Sequence, residues 1–283
     1  MFDATAGREP APSAGWICAL HTDLLGRGPD LNELARWHHD ARAGASHREL
    51  AERFLRSEDY CSHEVGALYR GLLDGDGDPT AVGAWTRSLQ SGAPLQDVVT
   101  GLCDSFEYRT RHPPPATFVE SLYQRLLRRA PDAEGQAGWL RALGERASTL
   151  SVIRGFVRST EYCSRQLTEL HVRLLGREPD RPRLLPWIVA AVQGTALQHF
   201  VLEIVTSAEY IARAAGRDPA PSADPDGHAI ASGGGEVAGG AQHLLRLLLE
   251  RHDVVVDYGR PERPASATPR SWPATSLPPM CTR

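Results

Sequence analysis

The sequence predicts an all-α fold: four tandem helical repeats of about 48 residues, arranged as two duplicated halves with a disordered C-terminal tail. Three observations predict it. The heptapeptide LLGRGPD at 24–30 returns as LLGREPD at 174–180. Leucine, aspartate, tryptophan, serine and tyrosine landmarks each occur four times, at offsets of 48, 54 and 48 residues. Between the landmarks, apolar residues step by three and four, the spacing of one helix face.

Leu25, Leu73, Leu127 and Leu175 each end a double leucine. Twelve residues later stand Trp37, Trp85, Trp139 and Trp187. Twenty further on come Ser57, Ser105, Ser159 and Ser207, and three beyond those Tyr60, Tyr108, Tyr162 and Tyr210. The extra six residues between the second and third copies fall in RTRHPPPATF, whose three prolines stop any helix. DYCS at 59–62 and EYCS at 161–164 follow the first and third copies only, pairing the copies two and two. Residues 1–15 thus read as a flexible N-terminus, 16–111 as repeat pair one and 112–117 as a Pro-rich linker. Repeat pair two spans 118–214, and 215–283 is a largely disordered tail with a short helix candidate at 241–252.

Each copy has the same internal logic. Its first helix carries a one-sided stripe: Ile17, Leu20, His21, Leu24 and Leu25 in copy one, and Leu167, Leu170, His171, Leu174 and Leu175 in copy four. Gly26 and Gly176 stand where a left-handed residue closes that helix. Pro29, Pro131 and Pro179 stiffen the turn, and Asp30, Asp78, Asp132 and Asp180 occupy the N-cap of the second helix. From its second turn each tryptophan can reach back to the first helix. Gly44, Gly92 and Gly194 close helix two, and SHRE at 46–49 and TALQ at 195–198 read as capping boxes opening helix three. The repeated serines cap helix four, which runs unbroken from copy one into copy two and from copy three into copy four. Such units are expected to stack as an array.

Composition excludes several function classes. The net charge of −4 gives no electrostatic footprint for nucleic acid or anionic lipid, although all 31 basic residues are arginine. No apolar run approaches the roughly 20 residues that span a bilayer. The opening MFDATAGREPAPSAG lacks the basic and apolar regions of a signal peptide. Five cysteines without a CxxC pair favour a reducing compartment, so the expected location is cytoplasmic, with export lacking an N-terminal signal as the alternative.

The pattern LYxxLLxRxPDxxGxxxW followed by SxEY resembles the domain-of-unknown-function family numbered 4214, itself similar to the helical linker domains of phycobilisomes. Copy three carries it best, as SLYQRLLRRAPDAEGQAGW and then STEY. The resemblance implies helical bundles acting as interaction or assembly modules, with no established catalytic residue. Copies one and four depart from it with His21 and His171 in place of the tyrosine. Copy two departs with Gly75 in place of the arginine, and copy four with RPRLLP after the cap.

Candidate chemistry is sparse. Asp74, Asp76 and Asp78 in DGDGD have the first, third and fifth spacing of an EF-hand loop, but Pro79 and Trp85 stand at positions six and twelve. An acidic turn is the reading and calcium the alternative. Cys61, Cys163 and Cys103 fall on packing positions, and no second ligand pair completes a zinc site around His38, His39 or His63. ASGGGEVAGG at 231–240 has no strand before it and reads as linker. Arg27, Arg129 and Arg177 are expected to pair with carboxylates near the caps. In the tail, Leu244–Leu249 form a short apolar helix candidate that docks either on the chain itself or on a partner. The expected function is a non-enzymatic interaction or scaffolding module, without cofactor, binding a protein or a glycan. The alternative is an accessory of glycosyl transfer or cell-surface assembly, calcium-dependent and exported.

Overall fold

The computed structural model describes residues 11–113 and 115–216, and residues 1–10 and the tail from 217 on, with its helix candidate at 241–252, lie outside them. Among the described residues all regular structure is helical. Copy one contributes α1 (Ala14–Leu25), α2 (Leu31–Arg42) and α3 (His47–Leu55). The long α4 (Glu58–Leu73) closes copy one and opens copy two, which continues with α5 (Pro79–Gln90), α6 (Leu95–Asp104) and α7 (Phe106–Arg111). Copy three starts with α8 (Ala116–Leu122), extended by a π-helical turn at Tyr123–Leu127, then α9 (Ala133–Gly144) and α10 (Thr149–Val157). The long α11 (Thr160–Leu175) leads into copy four: α12 (Arg181–Val192), α13 (Leu197–Val205) and α14 (Ala208–Ala215). No described helix is long and apolar enough to cross a membrane.

The stripes of the first and third helices form the core. Leu24, Val65, Val119 and Leu174 are buried with Phe54, Leu102, Phe156 and Ile204. All four tryptophans are half-buried in like surroundings on the second helices. Their main support is the third helix rather than the first. The indole of Trp139 stacks on Phe156 at 5.1 Å, Trp37 lies 5.9 Å from Phe54, and Trp187 lies 5.3 Å from Phe200. A Cβ on Gly101 or Gly155 would come within 2.5 Å of Trp85 or Trp139, so those third helices lack a side chain where the indole lands. Trp139 also reaches the first helix, donating its indole N–H to the Tyr123 hydroxyl.

Caps define the boundaries. Ser57, Ser105, Ser159 and Ser207 each accept the backbone N–H of the tyrosine three residues on. Asp30, Asp78 and Asp132 accept first-turn N–H groups. Asp180 stands at the N-cap of α12 without a side-chain cap bond and lies 3.7 Å from Arg177 instead. SHRE closes a reciprocal box between Ser46 and Glu49. TALQ does not: α13 begins at Leu197, and Gln198 turns away to another helix.

After each second helix the backbone turns left-handed, at Gly44, Gly92, Arg146 and Gly194. Arg146, with φ of 72°, is the non-glycine of this set. Its Cβ is strained there, so Arg146→Gly is expected to raise stability by about 1 kcal/mol in urea unfolding.

The copies do not form an open array. α14 packs on α1, α13 on α3, and α6 on α10, so the last copy returns to the first and closes a circuit. Trp16, fully buried, donates its indole N–H to the Val205 carbonyl at 2.9 Å, and the Tyr210 hydroxyl donates to Asp23 at 3.1 Å. One half further along, the α7–α8 junction places equivalent aromatic rings with different partners. There Tyr108 bonds Ser121 at 2.9 Å, and Phe118 stands where copy one has Trp16. Between the halves, Gln96 and Gln198 make reciprocal clasps. The Gln96 amide donates to Thr195 O (3.0 Å) and accepts from Leu197 N–H (3.2 Å). Gln198 donates to Ala93 O (3.1 Å) and accepts from Leu95 N–H (3.1 Å). Each glutamine contact is matched by its counterpart half a chain away, the pattern of an isologous interface inside one chain.

Candidate functional site

Most polar landmarks are consumed by the frame. Arg129 pairs bidentately with Glu161 (2.5 and 2.9 Å) and reaches Asp132 at 3.2 Å. Arg177 pairs likewise with Glu209 (2.7 and 2.9 Å). Both arginines leave the turn after a first helix and hold the glutamate opening the fourth, adding to its cap. Copy two has Gly75 there, and its free Glu107 pairs instead with Arg111 at 2.7 Å. A second arginine series was not read from the sequence: Arg111, Arg165 and Arg213 donate to the carbonyls of Leu73, Leu126 and Leu174, satisfying the ends of the first helices. Its signal is SxEYxxR, present in copies two, three and four, with His63 in copy one.

The cysteines are packing groups. Cys61 and Cys163 are buried and donate weakly to Leu55 O and Val157 O, and burial lifts both thiols to about 11. Cys103 is pushed to about 12 for the same reason. In the acidic loop, Asp74 pairs bidentately with Arg125, Asp76 lies 3.5 Å from Arg70, and Asp78 caps α5. Among the described residues, no three or more His, Cys, Asp or Glu side chains gather as metal ligands.

Copy one is different. Over it lies a groove of about 690 Å³, bounded by α2 on one side and by α3 and the start of α4 on the other. Its floor is apolar, from Leu25, Trp37 and Phe54, with His21 set among them. Its walls carry residues that break the repeat. Where copy one has Arg36, Asp40, Arg53 and Glu58, copy two has Ala84, Ser88, Gly101 and Phe106, and copy three has Gly138, Ala142, Gly155 and Thr160. Arg53 pairs with Asp40 at 2.7 Å and lies 5.3 Å from the Trp37 ring centroid.

The exchange of tyrosine for His21 explains part of this lining. In copy three a Cβ on Gly135 would sit 2.3 Å from the Tyr123 hydroxyl, so the phenol in that orientation needs glycine there, whereas Tyr69 of copy two coexists with Ala81 and lies against Gly77 instead. The shorter imidazole of His21 frees that space, and Glu33 fills the position in copy one, as Arg183 does beside His171 in copy four. Glu33 is buried and saturated: both oxygens take Arg27 (2.8 and 2.7 Å), and it completes the capping box with Asp30. His21 donates Nδ1–H to Ile17 O at 2.8 Å and stands edge-on to Phe54, and burial lowers its pKa.

The Arg27 guanidinium holds the Glu33 carboxyl at about 2, below its ordinary 4.5. A depressed acid contributes stability above its ordinary value and loses it as pH falls through the folded one. The urea midpoint is therefore expected to fall from pH 4.5 toward about 2, and Glu33→Gln should flatten that part of the profile. Equal slopes in the two proteins would exclude this pair as the cause.

Residues 111–166 match the family described as Domain of unknown function (DUF4214). The match spans the linker, the first three helices of copy three and the start of α11. No curated protein and no solved structure matches the chain.

Proposed function

We propose that the chain is a non-enzymatic binding module and that the groove over copy one is its partner-facing surface, taking a segment of another protein. The observation that carries this reading is where the repeat is broken. Repeat positions are spent on caps, turn ion pairs and core, while Arg36, Asp40, Arg53 and Glu58, charges that copies two and three replace with uncharged residues, line one groove with an aromatic floor. An enzyme reading finds less support there. Ser57, the hydroxyl in the groove, donates to Phe54 O at 2.7 Å and caps Tyr60, so it is held as a structural group. The other hydroxyl-bearing cap serines occupy the same role in the remaining copies.

Site-specific cross-linking tests the reading. A benzoylphenylalanine placed at Arg36 is expected to capture a discrete protein in the native host, and the same group at Ala84, the equivalent position over copy two, is not. Capture of the same products from both positions, or from neither, would remove the groove as the binding face.

A further inference from the structure

We propose that the groove over copy one receives an arginine side chain from an extended peptide segment, its guanidinium held by the Glu58 and Asp59 carboxylates and by His21 Nε2. This rests on the groove being the binding face and names what enters it.

His21 is 2% exposed, yet it lines the groove. Its Nδ1 must carry the proton, because the Ile17 carbonyl only accepts. Nε2 is then a lone-pair acceptor to which no described side chain or backbone group donates, on a residue that lines the groove. Most neighbouring charges are already spent. Glu33 belongs to Arg27, and Asp40 to Arg53. Among the described residues Glu58 makes no ion pair, and exposed Asp59 shares Arg27 at 3.6 Å. The unspent charge at the α4 end of the groove is therefore negative, beside an unspent acceptor. Copies two, three and four, with Phe106, Thr160 and Ala208 in place of Glu58, do not combine these groups.

The complement is a cation with several donors. Guanidinium presents five N–H groups in a planar fork and can serve two carboxylates and an imidazole together, whereas an ammonium is a single compact point. Its methylene stem suits the Trp37 and Phe54 floor, since such stems lie along apolar surface while the charged head stays polar.

The test uses the full chain labelled with ¹⁵N-histidine and titrated with acetyl-Gly-Gly-Arg-Gly-Gly-amide. A saturable shift of the His21 Nε2 signal is expected, at millimolar affinity or tighter for so short a ligand. Glu58→Gln/Asp59→Asn, at exposed positions, should weaken it by roughly fivefold or more. The matching peptide with glutamate in place of arginine should give no shift. An unmoved His21 signal, an equal response to the glutamate peptide, or undiminished binding by the double variant would overturn the proposal. Cross-linking through Arg36 without any response to the arginine peptide would overturn this assignment alone and leave the binding face standing.

Discussion

Trp16→Ala is expected to destabilise the protein by about 3–5 kcal/mol, the range for removing a fully buried large aromatic. The indole is 0% exposed, stands edge-on to the His47 ring at 4.8 Å, and bonds the last carbonyl of α13. Removing it leaves a cavity between the first and last copies and an unsatisfied Val205 carbonyl. Trp16→Phe is the informative companion, because it installs the residue that copy three uses at Phe118. It should recover most of the loss, short of the lost hydrogen bond of about 1 kcal/mol. Guanidine unfolding followed by circular dichroism measures both. An alanine variant within 1 kcal/mol of wild type, against the roughly 3 expected, would show that the closure between α1 and α14 carries little stability.

The second large effect is expected from Gln96→Ala/Gln198→Ala. Each glutamine satisfies one carbonyl and one N–H of the opposite half, so the double variant strands four backbone groups. At about 0.5–1.5 kcal/mol for each hydrogen bond, the sum is about 2–6 kcal/mol. The two single variants should cost nearly the same, because their surroundings are copies of each other. Strongly unequal single costs, or a double variant near wild type, would contradict an interface that reads identically from both sides.

Much of the fold was legible from residues with one structural meaning. The left-handed turn at Gly26, the tyrosine-capping serines, the triproline break and the stripe from Ile17 to Leu25 follow from backbone sterics and helix periodicity. Interactions that depend on which helices meet were not legible. TALQ has a capping-box pattern, yet Gln198 serves a carbonyl 105 residues away. A local pattern cannot show that a distant backbone group competes for the same amide. The array expected from tandem copies failed for a similar reason, since closure depends on the rotation between units and no single unit encodes it. Trp16 carries no fourfold signal, because copies two and four have Glu64 and Gln166 at its position, and the aromatic returns only where one half begins, as Phe118. The groove is half visible in the sequence: His21 departs from the repeated tyrosine, but its link to Glu33 depends on the packing of Gly135 against Tyr123.

A closed circuit also limits how such a protein can evolve. An open solenoid lengthens by adding units, and it needs specialised end units to shield its exposed faces. Here α14, the last described helix, occupies the seat a preceding unit would need, so neither α1 nor α14 offers that face for growth. Insertion of a fifth unit would have to break the Trp16 and Tyr210 contacts at once. Divergence is left as the route to novelty: with the number of units fixed by geometry, a single unit can drift toward recognition while its siblings keep the frame.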